Sequence, residues 1–219
     1  MLYFNSFPKV LTTDYNNNGI VLTNIMKRVS FIPTLLKNPL SYYTYDLQEG
    51  DTPDIVANKY YGDSYRYWLP LFSNQTIDPQ WNWPLDSNTF DRYIADKYFA
   101  AAGSVTDPNT GKPSITAATT YTQSTVYQYL LTTTTVDSLT MKSTTNTIVI
   151  DEDTYNNTST GTTTRTFAEG GSVTQTISKT AQSIYDYEVE LNDKKKTISL
   201  VNSIYTSQIE NEFKSLMRL

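Results

Sequence analysis

The 219-residue sequence contains no cysteine and no histidine. The first absence removes disulfide frameworks, thiolate metal sites and thiol nucleophiles; the second removes every imidazole acid, base or ligand. Most familiar catalytic devices are thereby excluded. No apolar run is long enough to cross a bilayer, and the opening MLYFNSFPKVL lacks the charged lead and long apolar core of a secretory signal. The expectation is a chain made in a cytoplasm and kept soluble, with no membrane partner. Positive charge is also scarce: 17 basic residues against 22 acidic ones leave a net charge of -5, without the basic field that nucleic acid requires. The one basic cluster, Lys194 to Lys196, lies between two strand-like runs and reads as a solvated turn.

Tyrosine, by contrast, is abundant, with 18 Tyr against 8 Phe on a chain that is only 38% hydrophobic. Each ring offers apolar area with a polar tip, ordinary in a core or on a sheet face, and as a population suited to surfaces that will be covered.

Composition divides the chain into three regions. Residues 1–103 mix Tyr, Trp and Pro with helical patterns and many turn signals. There TDYNNNGIVLTNI reads as a polar turn entering a short strand or extended arm, and Pro33 and Pro39 limit any helix before the strand YYTYDL to about one turn. Residues 104–182 are rich in Thr, Ser, Asn and Gly. The runs STVYQYLL, NTIVIDED, TRTF and VTQTIS, separated by NNTSTG and AEGG, predict a β-hairpin-rich insertion, with Glu169-Gly170-Gly171 as one tight turn. Residues 183–219 place Tyr185, Tyr187, Val189 and Leu191 at period two, then Ile198 and Leu200, which predicts an antiparallel hairpin across Asn192 to Lys196. A helix with Ile209, Phe213 and Leu216 on one stripe follows, capped by Thr206 or Ser207. The fold class is α+β.

The stretch EGDTPDIVANKYYGDSYRYWLPLFSNQ spells a turn, a helix and a second helix. Thr52 caps the first helix ahead of Pro53, Ile55, Val56 and Tyr60 point inward, and Gly62 is the left-handed terminator. Pro70 predicts that the second helix, carrying Tyr67, Trp68, Leu71 and Phe72, is kinked or starts late. A further helix is expected over Asp86 to Tyr98. This order resembles the LysM module, a βααβ fold known for binding N-acetylglucosamine polymers. The resemblance implies that Gly50, Asp51 and Thr52 form a first loop and Asn74 to Asp78 a second, flanking the glycan groove. After Asn74, however, no closing strand is evident, and WNWP follows instead. Trp81 and Trp83 read either as sugar-stacking rings or as an aromatic plug.

Taken with the N-terminal YFNSFP and the terminal YEVELNDKKKTISLVNSIYTSQIENEFKSLM, the block IVANKYYGDSYRYWLPLFSNQTIDPQWNW resembles the LysM-like baseplate wedge subunit of contractile-tailed, T-even-type bacteriophages. That resemblance implies a structural virion protein that joins neighbouring wedges into a ring around a central hub, without catalysis or cofactor. Its partners would be other wedge subunits, with glycan binding lost. An N-terminal arm and βαα module, a β insertion and a C-terminal hairpin with helix would make up the chain. Candidate interface residues are Tyr42, Tyr43, Trp81, Trp83, Ile209, Phe213 and Leu216.

Two other readings remain. A wall-binding module rests on the LysM-like motif alone. A glycosidase would need paired carboxylates; Glu49, Asp51 and Asp54 cluster, but turn and helix-N-terminal roles explain Asp51 and Asp54. The acidic DEDTYNN lacks the glycine turn and terminal Glu of a calcium loop and reads as a solvated turn, so no metal site is expected.

Overall fold

The computed structural model describes residues 3–30 and 39–218. The expected helical turn between Pro33 and Pro39 lies outside the described residues. In chain order, a 3-10 turn (Tyr3–Ser6) leads to β1 (Lys9–Thr13), β2 (Gly19–Thr23) and β3 (Tyr42–Asp46). Next come α1 (Pro53–Tyr61), α2 (Trp68–Ser73), α3 (Pro79–Asn82), α4 (Ser87–Lys97) and α5 (Ile115–Ser124). Then follow β4 (Val126–Asp137), β5 (Ser143–Ile150), α6 (Glu152–Asn157), β6 (Gly161–Thr166), β7 (Ser172–Ser183), α7 (Ile184–Asp193), β8 (Thr197–Val201) and α8 (Thr206–Arg218). Contacts gather these into two compact units, Met1–Asp86 with Asn192–Leu219, and Ser87–Leu191. The unit limits run across the three compositional regions, because the chain leaves the first unit and returns to it.

In the first unit α1 obeys its local signals. Thr52 precedes Pro53 in extended geometry, and Gly62 ends the helix at φ 68°, its N–H donating to the Asn58 carbonyl. The inward face is Val56, Ala57 and Tyr61; Ile55, expected beside Val56, is 40% exposed. Asp63 caps a 3-10 turn over Ser64–Arg66, and α2 starts only at Trp68. Pro70 therefore falls in the first turn of α2, where its missing N–H costs no helical bond. Around these helices Phe7, Ala57, Tyr61, Trp68, Leu69, Val201, Ile209, Phe213 and Met217 form one buried cluster. Tyr3 stacks on Phe213 at 5.2 Å between ring centres, and Trp68 meets Phe213 at 4.9 Å.

The closing strand that local sequence does not show after Asn74 is β8. It pairs antiparallel with β3, from Tyr42↔Val201 to Asp46↔Thr197. Beneath the pair Leu47, Val56, Trp83, Ile198 and Leu200 form a second apolar cluster. The expected C-terminal hairpin is corrected accordingly: only its second strand exists, and its partner is β3.

Residues 184–193 are helical. Ile184, Glu188 and Asn192 are buried at intervals of four residues. Two of those three positions are polar, so hydrophobic periodicity conceals the helix and the period-two aromatics suggest a strand. Ser183 supplies the N-terminal signal, accepting from the Asp186 N–H at 3.1 Å while its hydroxyl donates to the Asp186 carboxylate at 2.8 Å.

The second unit carries a four-stranded antiparallel sheet in the order β5-β4-β7-β6. β4, β6 and β7 run longer than the expected STVYQYLL, TRTF and VTQTIS, whereas β5 ends at Ile150, inside NTIVIDED; Gly170 and Gly171 turn β6 into β7 at φ 91° and 90°. Threonines pair across strands, Thr132 with Thr147 at 3.0 Å and Thr162 with Thr176 at 3.1 Å. Two helices accompany the strands in this β-hairpin-rich region. ITAATTYTQS forms α5, capped by Ser114, and DEDTYNN contains α6, capped by Asp151. Buried Glu188 accepts from Lys97 and from the Tyr98 hydroxyl, each at 2.7 Å, and from Tyr93 at 3.2 Å.

Candidate functional site

The motif loop after β3 is organised by Asp51. Gly50 takes φ 79° to turn the chain, and the Asp51 N–H closes the turn on the Gln48 carbonyl at 3.0 Å. The Asp51 carboxylate accepts from Tyr45 at 2.8 Å, the Gln48 N–H at 3.0 Å and the Lys59 ammonium at 2.6 Å. Its side chain is 3% exposed, whereas that of Lys59 is 51% exposed. Burial by itself would push the Asp51 carboxyl up; hydrogen bonds from Lys59, Gln48 and Tyr45 outweigh it and hold the group below its ordinary value. The hydrogen bond to Asp51 raises Lys59 in turn. Asp51 is thus committed to shaping the loop, and Asp54 accepts from the Thr52 hydroxyl.

Trp83 is 7% exposed and its indole N–H donates to the Asp51 carbonyl at 2.7 Å. The ring that sequence leaves between sugar platform and plug is a plug. Asn192 holds the next segment in place, accepting from the Leu85 N–H at 2.8 Å and donating to the Leu85 carbonyl at 3.0 Å. Lys195 donates to the Trp81 carbonyl at 2.7 Å, tying the turn to a segment 114 residues earlier, and Lys196 pairs locally with Asp193 at 2.6 Å. Between the loop and this segment lies a hollow of about 380 Å³, lined by Leu47 to Thr52, Trp83 to Asp86 and Lys196.

Asn74, expected in a second glycan loop, faces β8. Its amide donates to the Pro70 carbonyl at 2.7 Å and the Ser199 carbonyl at 2.9 Å, and accepts from the Ser199 N–H at 2.8 Å. The side chain thereby acts as a one-residue strand on the edge of β8 away from β3. Ser73 adds a hydroxyl bond to the same Ser199 carbonyl at 2.6 Å.

The candidate interface residues divide by cover. Ile209 and Phe213 are 8% and 4% exposed and belong to the first unit's own core, as does Trp68 at 2%. That placement corrects their reading as docking residues, because the stripe of α8 is filled from inside the chain. Tyr42 and Tyr60 are half-buried against the same core. Tyr43 at 55%, Trp81 at 59% and Leu216 at 46% remain exposed. Tyr43 also stacks on Tyr60 at 5.7 Å. Sequence reasoning missed Tyr45, Asn192 and Ser199, whose roles depend on partners remote in the chain and carry no local spacing signal.

Among the described residues no helix is long and apolar enough to cross a membrane, and no group of His, Cys, Asp and Glu could hold a metal ion. Residues 3–106 match the family model described as base plate wedge protein 53. No curated protein matches the chain. The matched segment contains Tyr3, Asp51, Trp68, Asn74 and Trp83, but not β8 or α8, which complete the core around them.

Proposed function

We propose that this chain, whose residues 3–106 match the base plate wedge protein 53 family, is a phage baseplate wedge protein and joins neighbouring wedges during assembly of the ring around the hub. The family match supports a structural role in the baseplate. One observation carries the finer reading: the segments that bear the resemblance, YFNSFP, the α1–α2 block and the C-terminal EFKSLM, converge on one aromatic core around Trp68 and Phe213. A body sewn together from three distant segments presents its outer faces in fixed register, as a joint between subunits requires. Tyr43, Trp81 and Leu216 are the exposed apolar positions we assign to wedge contacts.

We further propose that the LysM-like arrangement is a scaffold here and no longer a glycan site. Support comes from Asn74, whose amide is consumed by β8, and from Trp83, whose ring is buried. Titration with chitin or peptidoglycan oligomers to millimolar concentration should leave the amide signals of Gly50 to Thr52 and Asn74 to Asp78 unmoved.

The joining role is tested by sedimentation of wedge complexes from infected cells that lack this chain. Separate wedges are expected, closing into rings when the purified chain is added. Complete rings formed without it would refute the role.

A further inference from the structure

Among the described residues, every aliphatic side chain of the N-terminal hairpin strands is exposed. β1 and β2 form a two-stranded sheet with no third strand among the described residues, in the register Val10↔Leu22, Leu11↔Val21, Thr12↔Ile20. Opposed residues share a face and successive residues alternate. Leu11 and Val21 therefore stand on one face, and Val10, Leu22 and Ile20 on the other. Their exposures are 75% and 65% on the first face, and 45%, 52% and 37% on the second. Tyr15 in the turn is 96% exposed, and Ile25 and Met26 beyond β2 are 65% and 85% exposed.

The shape of the ribbon is specified locally. The Asp14 carboxylate accepts the N–H groups of Asn16 and Asn18, and Asn17 takes the left-handed conformation at φ 65° that completes a short hairpin turn. At the base the Asn24 N–H donates to the Pro8 carbonyl at 2.9 Å, and Lys27 donates to the Met217 carbonyl at 3.2 Å, rooting the ribbon in the first unit. Among the described residues, neither apolar core cluster includes a side chain of the ribbon. A strand with one solvated face alternates apolar and polar residues; a continuous run such as Ile20-Val21-Leu22 belongs to a strand covered on both faces. A two-stranded hairpin alone is marginally stable in water.

We propose that residues Lys9 to Met26 are a docking arm that inserts between two apolar layers of a different baseplate protein and adds its open edge to that protein's sheet. The inference rests on the baseplate reading above and names the kind of partner. The exposed apolar side chains of the arm offer on the order of the 800 Å² that one partner contributes to a standard interface, more than a lone soluble surface usually leaves open. Charge agrees with an apolar slot. The only ionic side chains are Lys9, which donates to the Thr23 hydroxyl at 2.7 Å, and Asp14, which holds the turn. A second copy of this chain is the poorer receptor. Two hollows among its described residues, of about 410 and 380 Å³, carry Lys214 and Arg218 in one and Glu49, Asp51, Asp86 and Lys196 in the other, charged linings that suit an apolar ribbon poorly.

The test places a photo-crosslinking phenylalanine at Leu11 in one full-length protein and at Leu22 in another, each incorporated into tails in place of the unaltered chain. Irradiation should link both faces to the same non-identical tail protein. Amides of β1 and β2 should exchange at least tenfold more slowly in tails than in the free chain. The double variant Leu11→Asp, Val21→Asp should enter tails at least tenfold less, with an unchanged denaturation midpoint for the first unit. Crosslinks to a second copy would overturn the choice of partner. Normal incorporation of the double variant, with arm amides exchanging as in the free chain, would overturn the arm and leave the baseplate reading standing. Absence of the unaltered chain from tails would overturn that reading and the arm with it.

Discussion

Replacing Asn74 with alanine tests whether one amide pins the closing strand. The change removes bonds to the Pro70 carbonyl, the Ser199 carbonyl and the Ser199 N–H. Each net bond contributes about 0.5–1.5 kcal/mol, and a buried donor left unpaired costs about 1–3. Ser73 still serves the Ser199 carbonyl, and Ser199 is half-buried, so water reaches part of the vacated site. The expected loss is therefore about 2 kcal/mol, near a thirtyfold shift in the folded-to-unfolded ratio. The assay is unusually clean: the 3 tryptophans, Trp68, Trp81 and Trp83, all lie in the first unit, so urea denaturation followed by their fluorescence reports that unit alone. Asn74→Asp is the control for geometry. It keeps the acceptor for the Ser199 N–H but turns a negative oxygen toward two carbonyls, so at neutral pH it should cost at least as much as alanine, with partial recovery as the new carboxyl protonates. A loss below about 0.5 kcal/mol for both variants, within the scatter of surface substitutions, would refute the pinning role.

Phe213→Ala should cost about 3–5 kcal/mol by opening the cluster with Tyr3, Phe7 and Trp68, while Leu216→Ala, one turn away and exposed, should stay within about 0.5 kcal/mol in the same fluorescence assay. Because the Asp51 carboxyl sits below its ordinary value, its stabilisation is present above the unfolded value of about 3.9 and is lost as pH falls through the lower folded value; Asp51→Asn should flatten the acid limb of the first unit's stability curve. Gly171→Ala places a Cβ 2.6 Å from Leu139 at φ 90°, and should destabilise the β6–β7 turn by roughly 1–3 kcal/mol, seen as faster amide exchange in β6. Removing Glu188 strands Lys97, which is 42% exposed; after allowance for solvent screening, Glu188→Ala should cost about 1–3 kcal/mol in thermal melts followed by far-UV circular dichroism.

Where the determinants are local, sequence and structure agree. Thr52-Pro53 and Gly62 bound α1, Pro70 delays α2, Gly170-Gly171 turns a hairpin, and the spacing of Ile209 and Phe213 makes a helix with one apolar stripe. In each case a few adjacent residues restrict their own φ and ψ, or align their own side chains, without outside help. The absence of His and Cys and the low positive charge are determined in the same sense, and so is the family likeness over residues 3–106.

Only the tertiary structure decided who covers whom. Thr197 meets Asp46 across 151 residues, and nothing in TISLV names β3 as its partner, since a short apolar strand pairs with whichever edge is left open to it. The helical fate of residues 184–193 was hidden because its buried stripe holds Glu188 and Asn192, polar groups tolerable there only once Lys97 and Tyr98, or the backbone of Leu85, satisfy them. The same logic separates Phe213 from Leu216 and Trp83 from Trp81: local pattern says that a side chain is apolar, and burial is a property of the neighbours that arrive.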